Sequence, residues 1–167
     1  METLFFGIVM VILLKIAWID FKEKYIYDLD ILIATGIITF YNIYKGDFLD
    51  SVFGGITGFL IGFLIFGMAY IIYEEEAFGF GDVLLLCVIG QYLGSCLFIS
   101  YFVITTIFFG MLALCAILVK PGLRKAALPM APVYVAGLLL FRLASQPTVY
   151  DVFYNIYKVM RTLCFGY

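Results

Sequence analysis

Asp20 closes the first apolar run of this chain and Asp82 opens a later one, so both acids stand at the edge of segments that water does not favour. The chain contains no histidine. That absence removes Ser-His and Cys-His nucleophilic pairs, zinc-binding HExxH helices and histidine general bases together. Carboxylates are then the leading candidates for any acid-base chemistry. Two carboxylates held a few ångströms apart resist double ionisation and share one proton. The ionised member can take a proton from water while the protonated member polarises a peptide carbonyl, which is the division of labour that peptide hydrolysis needs. Other readings stand beside this one. Asp20 could be an interfacial helix-end charge and Asp82 an N-cap, a position that favours aspartate. The pair could also form a proton or cation site in a small transporter or assembly scaffold.

For the two aspartates to meet, the elements carrying them must bring them to one membrane depth. The chain is 65% hydrophobic and 13% charged, against roughly 25% charged in a soluble domain. A water-soluble fold is excluded. Apolar runs near 3–19, 29–44, 51–73, 82–95, 98–119 and 128–146 predict an all-α, polytopic integral membrane protein with about six transmembrane helices. Residues 1–167 form one membrane-embedded domain on this reading, because six crossings of about 20 residues leave no length for a soluble one. The charge-free run 83–119 would extend about 55 Å as one helix, beyond a hydrocarbon core of about 30 Å, so it must reverse. Gly94-Ser95 is the predicted reversal point. The stretch 4–19 has no basic flank before it and no small-residue cleavage site after it, and is expected to remain as a span rather than leave as a signal peptide.

Counting crossings alternately, the connections 20–28, 74–81 and 120–128 share one face. They carry Lys22, Lys24, Lys120, Arg124 and Lys125, whereas the other two connections carry only Lys45. The positive-inside rule places the first set in the cytoplasm, and Asp20 and Asp82 with it. Residues 148–167 alternate aromatic with charged side chains and suit an interfacial C-terminal helix, or a partial crossing. The net charge is -2 and basic residues are scattered, so the lipid bilayer is an expected partner and nucleic acid is not. The four cysteines show no CxxC spacing, and neither a disulfide framework nor a metal site is predicted.

Gly79-Phe80-Gly81-Asp82 removes side chains next to an intramembrane acid, where a substrate backbone would have to approach. A turn between two spans would use the same residues. The surroundings make the segment more specific. Glu76-Ala77-Phe78-Gly79-Phe80-Gly81-Asp82-Val83-Leu84, followed by Ile89-Gly90-Gln91-Tyr92-Leu93-Gly94, closely resembles the second signature of the type IV prepilin peptidases. Trp18-Ile19-Asp20, with Ile26-Tyr27-Asp28 after it, is similar to their first signature, and Leu128-Pro129-Met130-Ala131-Pro132 resembles their proline-containing segment. The similarity runs through the whole chain in order.

The resemblance implies a six-span intramembrane aspartyl peptidase with catalytic Asp20 and Asp82 and no cofactor or metal. It would cut the short basic leader from prepilins or pseudopilins at the cytoplasmic face of the inner or plasma membrane. Gly79, Gly81, Glu76, Asp28, Pro129 and Pro132 fall on positions that would support substrate binding. Two departures stand out. Tyr27 occupies a frequent proline position and Leu84 a frequent lysine position, which removes a cation from beside the pair. The cysteine-rich segment of many bacterial members is absent, so methylation and S-adenosylmethionine are not predicted. A presenilin-like GxGD protease of other membrane substrates is the neighbouring alternative, opposed by the first signature and the prolines. The oligomeric state is left open.

Three lesser features complete the sequence. Gly54, Gly58 and Gly62, spaced by four, are expected to let a neighbouring helix pack closely. Lys15 is expected to extend toward the cytoplasmic headgroups. The acids Glu23, Asp28, Asp30 and Glu74 to Glu76 make the cytoplasmic loops locally acidic, which could attract a basic leader, although a plain solvated loop is the favoured reading for Glu74 and Glu75.

Overall fold

The computed structural model describes residues 2–73, 79–119 and 129–144. Among them it contains six helices: α1 (Glu2–Glu23), α2 (Asp28–Lys45), α3 (Phe48–Tyr73), α4 (Phe80–Leu93), α5 (Ser95–Val119) and α6 (Ala131–Ala144). The fold is all-α, as the apolar periodless runs require, since a bilayer accepts only elements that satisfy their own backbone. Three stretches, Leu4–Glu23, Phe48–Ile71 and Ser95–Cys115, are long and apolar enough to cross a membrane. Helices α4 and α6 are shorter, at 14 residues each, or about 21 Å of rise.

Turn chemistry sets the boundaries. α1 runs past the predicted end at residue 19 to Glu23, where Lys24 takes a left-handed φ of 52° and its N–H donates to the Asp20 carbonyl. α2 ends on Gly46 (φ 85°), with the Gly46 N–H on the Ile43 carbonyl and the Asp47 N–H on the Asn42 carbonyl, the paired bonds of a Schellman cap. The reversal expected at Gly94-Ser95 is present: Gly94 separates α4 from α5, and Asp50 at the start of α3 accepts from the Ser95 N–H (3.4 Å) and hydroxyl (3.1 Å).

α4 lies at the centre, touching α2, α3, α5 and α6. Val83, Leu85, Leu86, Val88 and Ile89 are buried there. Its closest neighbour is α3, because the glycine stripe packs as its spacing predicts. A Cβ at Gly54 would strike the Gly90 carbonyl, one at Gly58 would strike the Leu86 carbonyl, and one at Gly62 would come within 3.1 Å of the Val83 Cα. Asn42 Nδ2 donates to Ser51 Oγ (3.0 Å), Ser51 Oγ to the Gln91 carbonyl (2.9 Å), and Gln91 Nε2 to Thr39 Oγ1 (3.2 Å). These bonds lock α2, α3 and α4 at the end of α4 opposite Asp82.

The outer surface is apolar. Leu4, Val11, Leu60, Leu64, Val103 and Met111 are among many large exposed hydrophobic side chains, a surface that only lipid can cover at this extent. Trp18, Phe21 and Tyr25 are exposed near the end of α1, with the Lys22 ammonium 5.0 Å from the Trp18 ring centre, as in an aromatic interface belt. Lys15, expected to reach for headgroups, instead reaches Asp30 on α2 at 2.7 Å, satisfying a carboxylate that is buried. Residues 148–167 lie outside the described residues.

Candidate active site

The site forms where the end of α1, the start of α4 and the start of α6 converge. Asp20 lies in the last turn of α1 and is only 6% exposed. Its Oδ2 accepts the backbone N–H of Ala131 at 3.0 Å. Ala131 is the first residue of α6 and Pro132 the second. Proline has no N–H, so few first-turn donors remain, and the Asp20 carboxylate meets one of them from another helix. The end-of-helix charge considered for Asp20 is thus turned inward, onto the positive end of α6.

Asp82 is the third residue of α4. It does not cap that helix: Gly79 is the N-cap residue and no side-chain cap bond forms. The Asp82 N–H donates to the Gly79 carbonyl at 3.0 Å in an ordinary first turn. Its side chain turns into the protein, where Oδ1 is buried without a hydrogen-bond partner among the described residues. The nearby acid is Asp20, whose charge acts on Asp82. The two aspartates, distant in sequence, therefore come within electrostatic reach of each other, Asp20 buried and Asp82 half-buried. Tyr134, one turn into α6, is also buried.

The two glycines of the tetrapeptide differ. Gly79 is exposed, and a Cβ there would meet Asp82 Oδ2 at 3.4 Å, so its missing side chain leaves that carboxylate oxygen open on one side. A Cβ at Gly81 would come within 2.9 Å of the Ile26 Cβ. The space beside Gly81 is therefore filled by the chain itself, and that glycine clamps the α1–α2 connection against α4. Pro129 and Pro132 are half-buried at the entry to α6, beside the Ala131 N–H. Asp28 is exposed, opens α2 and makes no hydrogen bond or ion pair among the described residues. The buried acid of that turn is Asp30. Next to it, Tyr27 donates to Glu23 at 2.9 Å, and this bond holds the exposed phenol above its ordinary pKa. Glu76 lies outside the described residues.

Sequence reasoning singled out both aspartates but neither the Ala131 N–H nor the buried Tyr134 of α6. The Ala131 N–H is invisible to a search over side chains. Tyr134 carried a faint signal, a single hydroxyl in the otherwise apolar run 133–141.

A model of the type IV leader peptidase family matches residues 7–119, more than half of the chain, including both aspartates. No curated protein and no solved structure matches the chain.

Proposed function

This chain belongs to the type IV leader peptidase family, and we propose that it works as an aspartic-type endopeptidase whose acid pair is Asp20 and Asp82. One observation carries the reading. Two acids from separate helices come within electrostatic reach of one another in a buried region beside the α6 N-terminus. Burying two like charges together is costly, and to do so with no ion pair to offset it among the described residues points to use rather than to packing.

The proposed chemistry follows from their partners. Asp20 already accepts a backbone N–H, and an ionised carboxylate is the stronger acceptor for such a donor. Asp20 is therefore suited to the ionised role and takes a proton from the attacking water. Asp82 holds the shared proton and donates it toward the scissile carbonyl oxygen. The hydroxide oxygen bonds to the carbonyl carbon, giving a gem-diol. Collapse breaks the C–N bond as the proton held by Asp20 passes to the leaving amine and one gem-diol hydroxyl returns its proton to Asp82, which restores the starting pair. The open side of Gly79 admits the extended substrate chain, since a helical peptide hides its carbonyls.

The family description supports a leader peptide as the substrate. The short basic leader of a prepilin or pseudopilin is the proposed one, cut at the cytoplasmic face of the inner or plasma membrane while its apolar helix stays in the bilayer. Lys22 and Lys24 on the Asp20 connection support that orientation. Exposed Glu23 and Asp28 lie close in sequence to Asp20 and would draw a basic leader toward it.

The test is cleavage of a co-expressed prepilin by wild type, Asp20→Asn and Asp82→Asn in membranes, read as a gel mobility shift. Asparagine keeps the size of the side chain but cannot share the proton. Loss of cutting in both variants at normal membrane levels is expected. Wild-type cutting by either well-expressed variant refutes the dyad. A wild-type protein that cuts only non-pilin membrane substrates refutes the proposed substrate and leaves the chemistry standing.

A further inference from the structure

The connection from α1 to α2 is pinned at its middle and exposed on either side. Ile26 is buried, and its Cβ stands 2.9 Å from where a Cβ on Gly81 would be. Gly81 directly precedes Asp82, so the residues that flank Ile26 lie beside the start of α4. Those residues are Tyr25 and Tyr27, both exposed, with ring centres 5.3 Å apart and planes at 80°. In such an edge-to-face pair, the ring that presents its edge keeps both of its faces clear of its partner. The Tyr27 hydroxyl donates to Glu23 Oε2 at 2.9 Å.

Nothing in the backbone asks for an aromatic residue at position 27. Its φ of -77° and ψ of 127° are open to proline. Its N–H makes no hydrogen bond among the described residues, and its carbonyl accepts from the Asp30 and Ile31 N–H groups, as any residue there could. What tyrosine adds is an exposed ring and a hydroxyl that ties down Glu23. A carboxylate has about four acceptor positions, and this bond uses one. Glu23 is thus held in place and open to a second donor, next to exposed aromatic faces. The charge of the segment suits a cation: residues 23–28 carry two acids against one lysine, and Lys22 before them is drawn over the Trp18 ring, 5.0 Å from its centre.

We propose that Tyr25 and Tyr27, together with Glu23, form a seat for one basic side chain of the leader and so act as specificity-determining residues beside the acid pair. This deepens the peptidase reading above and rests on it. An ammonium or guanidinium placed over an aromatic face and within reach of a carboxylate is attracted by both. The Tyr27–Glu23 bond and the Ile26 clamp exist before substrate arrives, so the protein loses little freedom on binding. A neutral leader side chain would gain neither attraction.

The experiment is steady-state cleavage by purified wild type, Tyr27→Pro and Glu23→Gln in detergent. Two forms of one prepilin are compared, one with its basic leader and one whose leader lysines and arginines are all glutamine. Proline suits the backbone at position 27 and removes both ring and hydroxyl. With the basic leader, each variant is expected to raise KM about threefold or more, with kcat within about twofold of wild type. With the neutral leader, wild type itself should show the raised KM, and the variants should add little to it. Wild-type KM for the basic leader in either variant overturns the proposal. So does an equal rise in KM for both leaders, which a packing or membrane-anchoring role would give. If Tyr27→Pro does not accumulate, Tyr27→Leu makes the same comparison. A wild type that cuts neither form is a different failure, that of the peptidase reading, and takes this inference with it.

Discussion

Asp20 and Ala131 stand 111 positions apart, and the carboxylate of the first accepts the backbone N–H of the second at 3.0 Å. That bond couples α1 to α6 and orients one member of the acid pair. It also meets a first-turn donor at a helix whose second residue, Pro132, offers none. Asp82 has no equivalent partner on its Oδ1 oxygen. The two acids therefore differ in what they contribute to the fold.

Alanine at position 20 removes a cap and should lower stability by about 1 kcal/mol. Alanine at position 82 removes a buried Oδ1 that meets no donor among the described residues, and should leave stability unchanged or raise it slightly. Thermal melting of the purified variants in detergent measures both. A larger loss for Asp82→Ala than for Asp20→Ala would contradict this account of how the pair is held.

The contact between α3 and α4 depends on missing side chains. A Cβ at Gly58 would strike the Leu86 carbonyl, a backbone atom that cannot rotate away, whereas Gly67 has open space around it. Gly58→Ala should cost about 1–3 kcal/mol and reduce cleavage, since α4 carries Asp82. Gly67→Ala on the same helix should be neutral in both melting temperature and activity.

Gly81→Ala probes the clamp between α4 and the α1–α2 connection. The new methyl would come within 2.9 Å of the Ile26 Cβ, which is fixed to its own backbone. The connection must move by a few tenths of an ångström, and such shifts near reacting groups are costly for rate. Cleavage is expected to fall roughly tenfold at unchanged membrane levels. Gly81→Ala with wild-type cleavage would show that the clamp does not position the pair.

Lys15 and Asp30 form an ion pair of unequal burial, the lysine side chain 61% exposed and the aspartate 7%. Removing only the lysine leaves a buried carboxylate without its cation. Lys15→Met should therefore destabilise by about 1–3 kcal/mol, and Lys15→Met with Asp30→Leu by less. A double variant that melts below the single one would mean that the aspartate is held by something other than Lys15.

The amino-acid sequence determined the class of the molecule and the identity of its acids. Long charge-poor runs leave an α-helical membrane fold as the solution for this chain, because each backbone donor must be met within its own helix. The reversal at Gly94, the close packing of the Gly54, Gly58 and Gly62 stripe and the family itself were legible for the same local reason: they rest on residue type and spacing along a short stretch. What each polar group touches was decided by the tertiary structure. Nothing near Lys15 in the sequence names Asp30, nothing near Asp20 names the Ala131 N–H, and the cap suggested by Asp82 went to Gly79. These pairings join segments far apart in the chain, and their geometry comes from how helices cross and rotate. That is set by the sum of many packing contacts, so no local pattern encodes it.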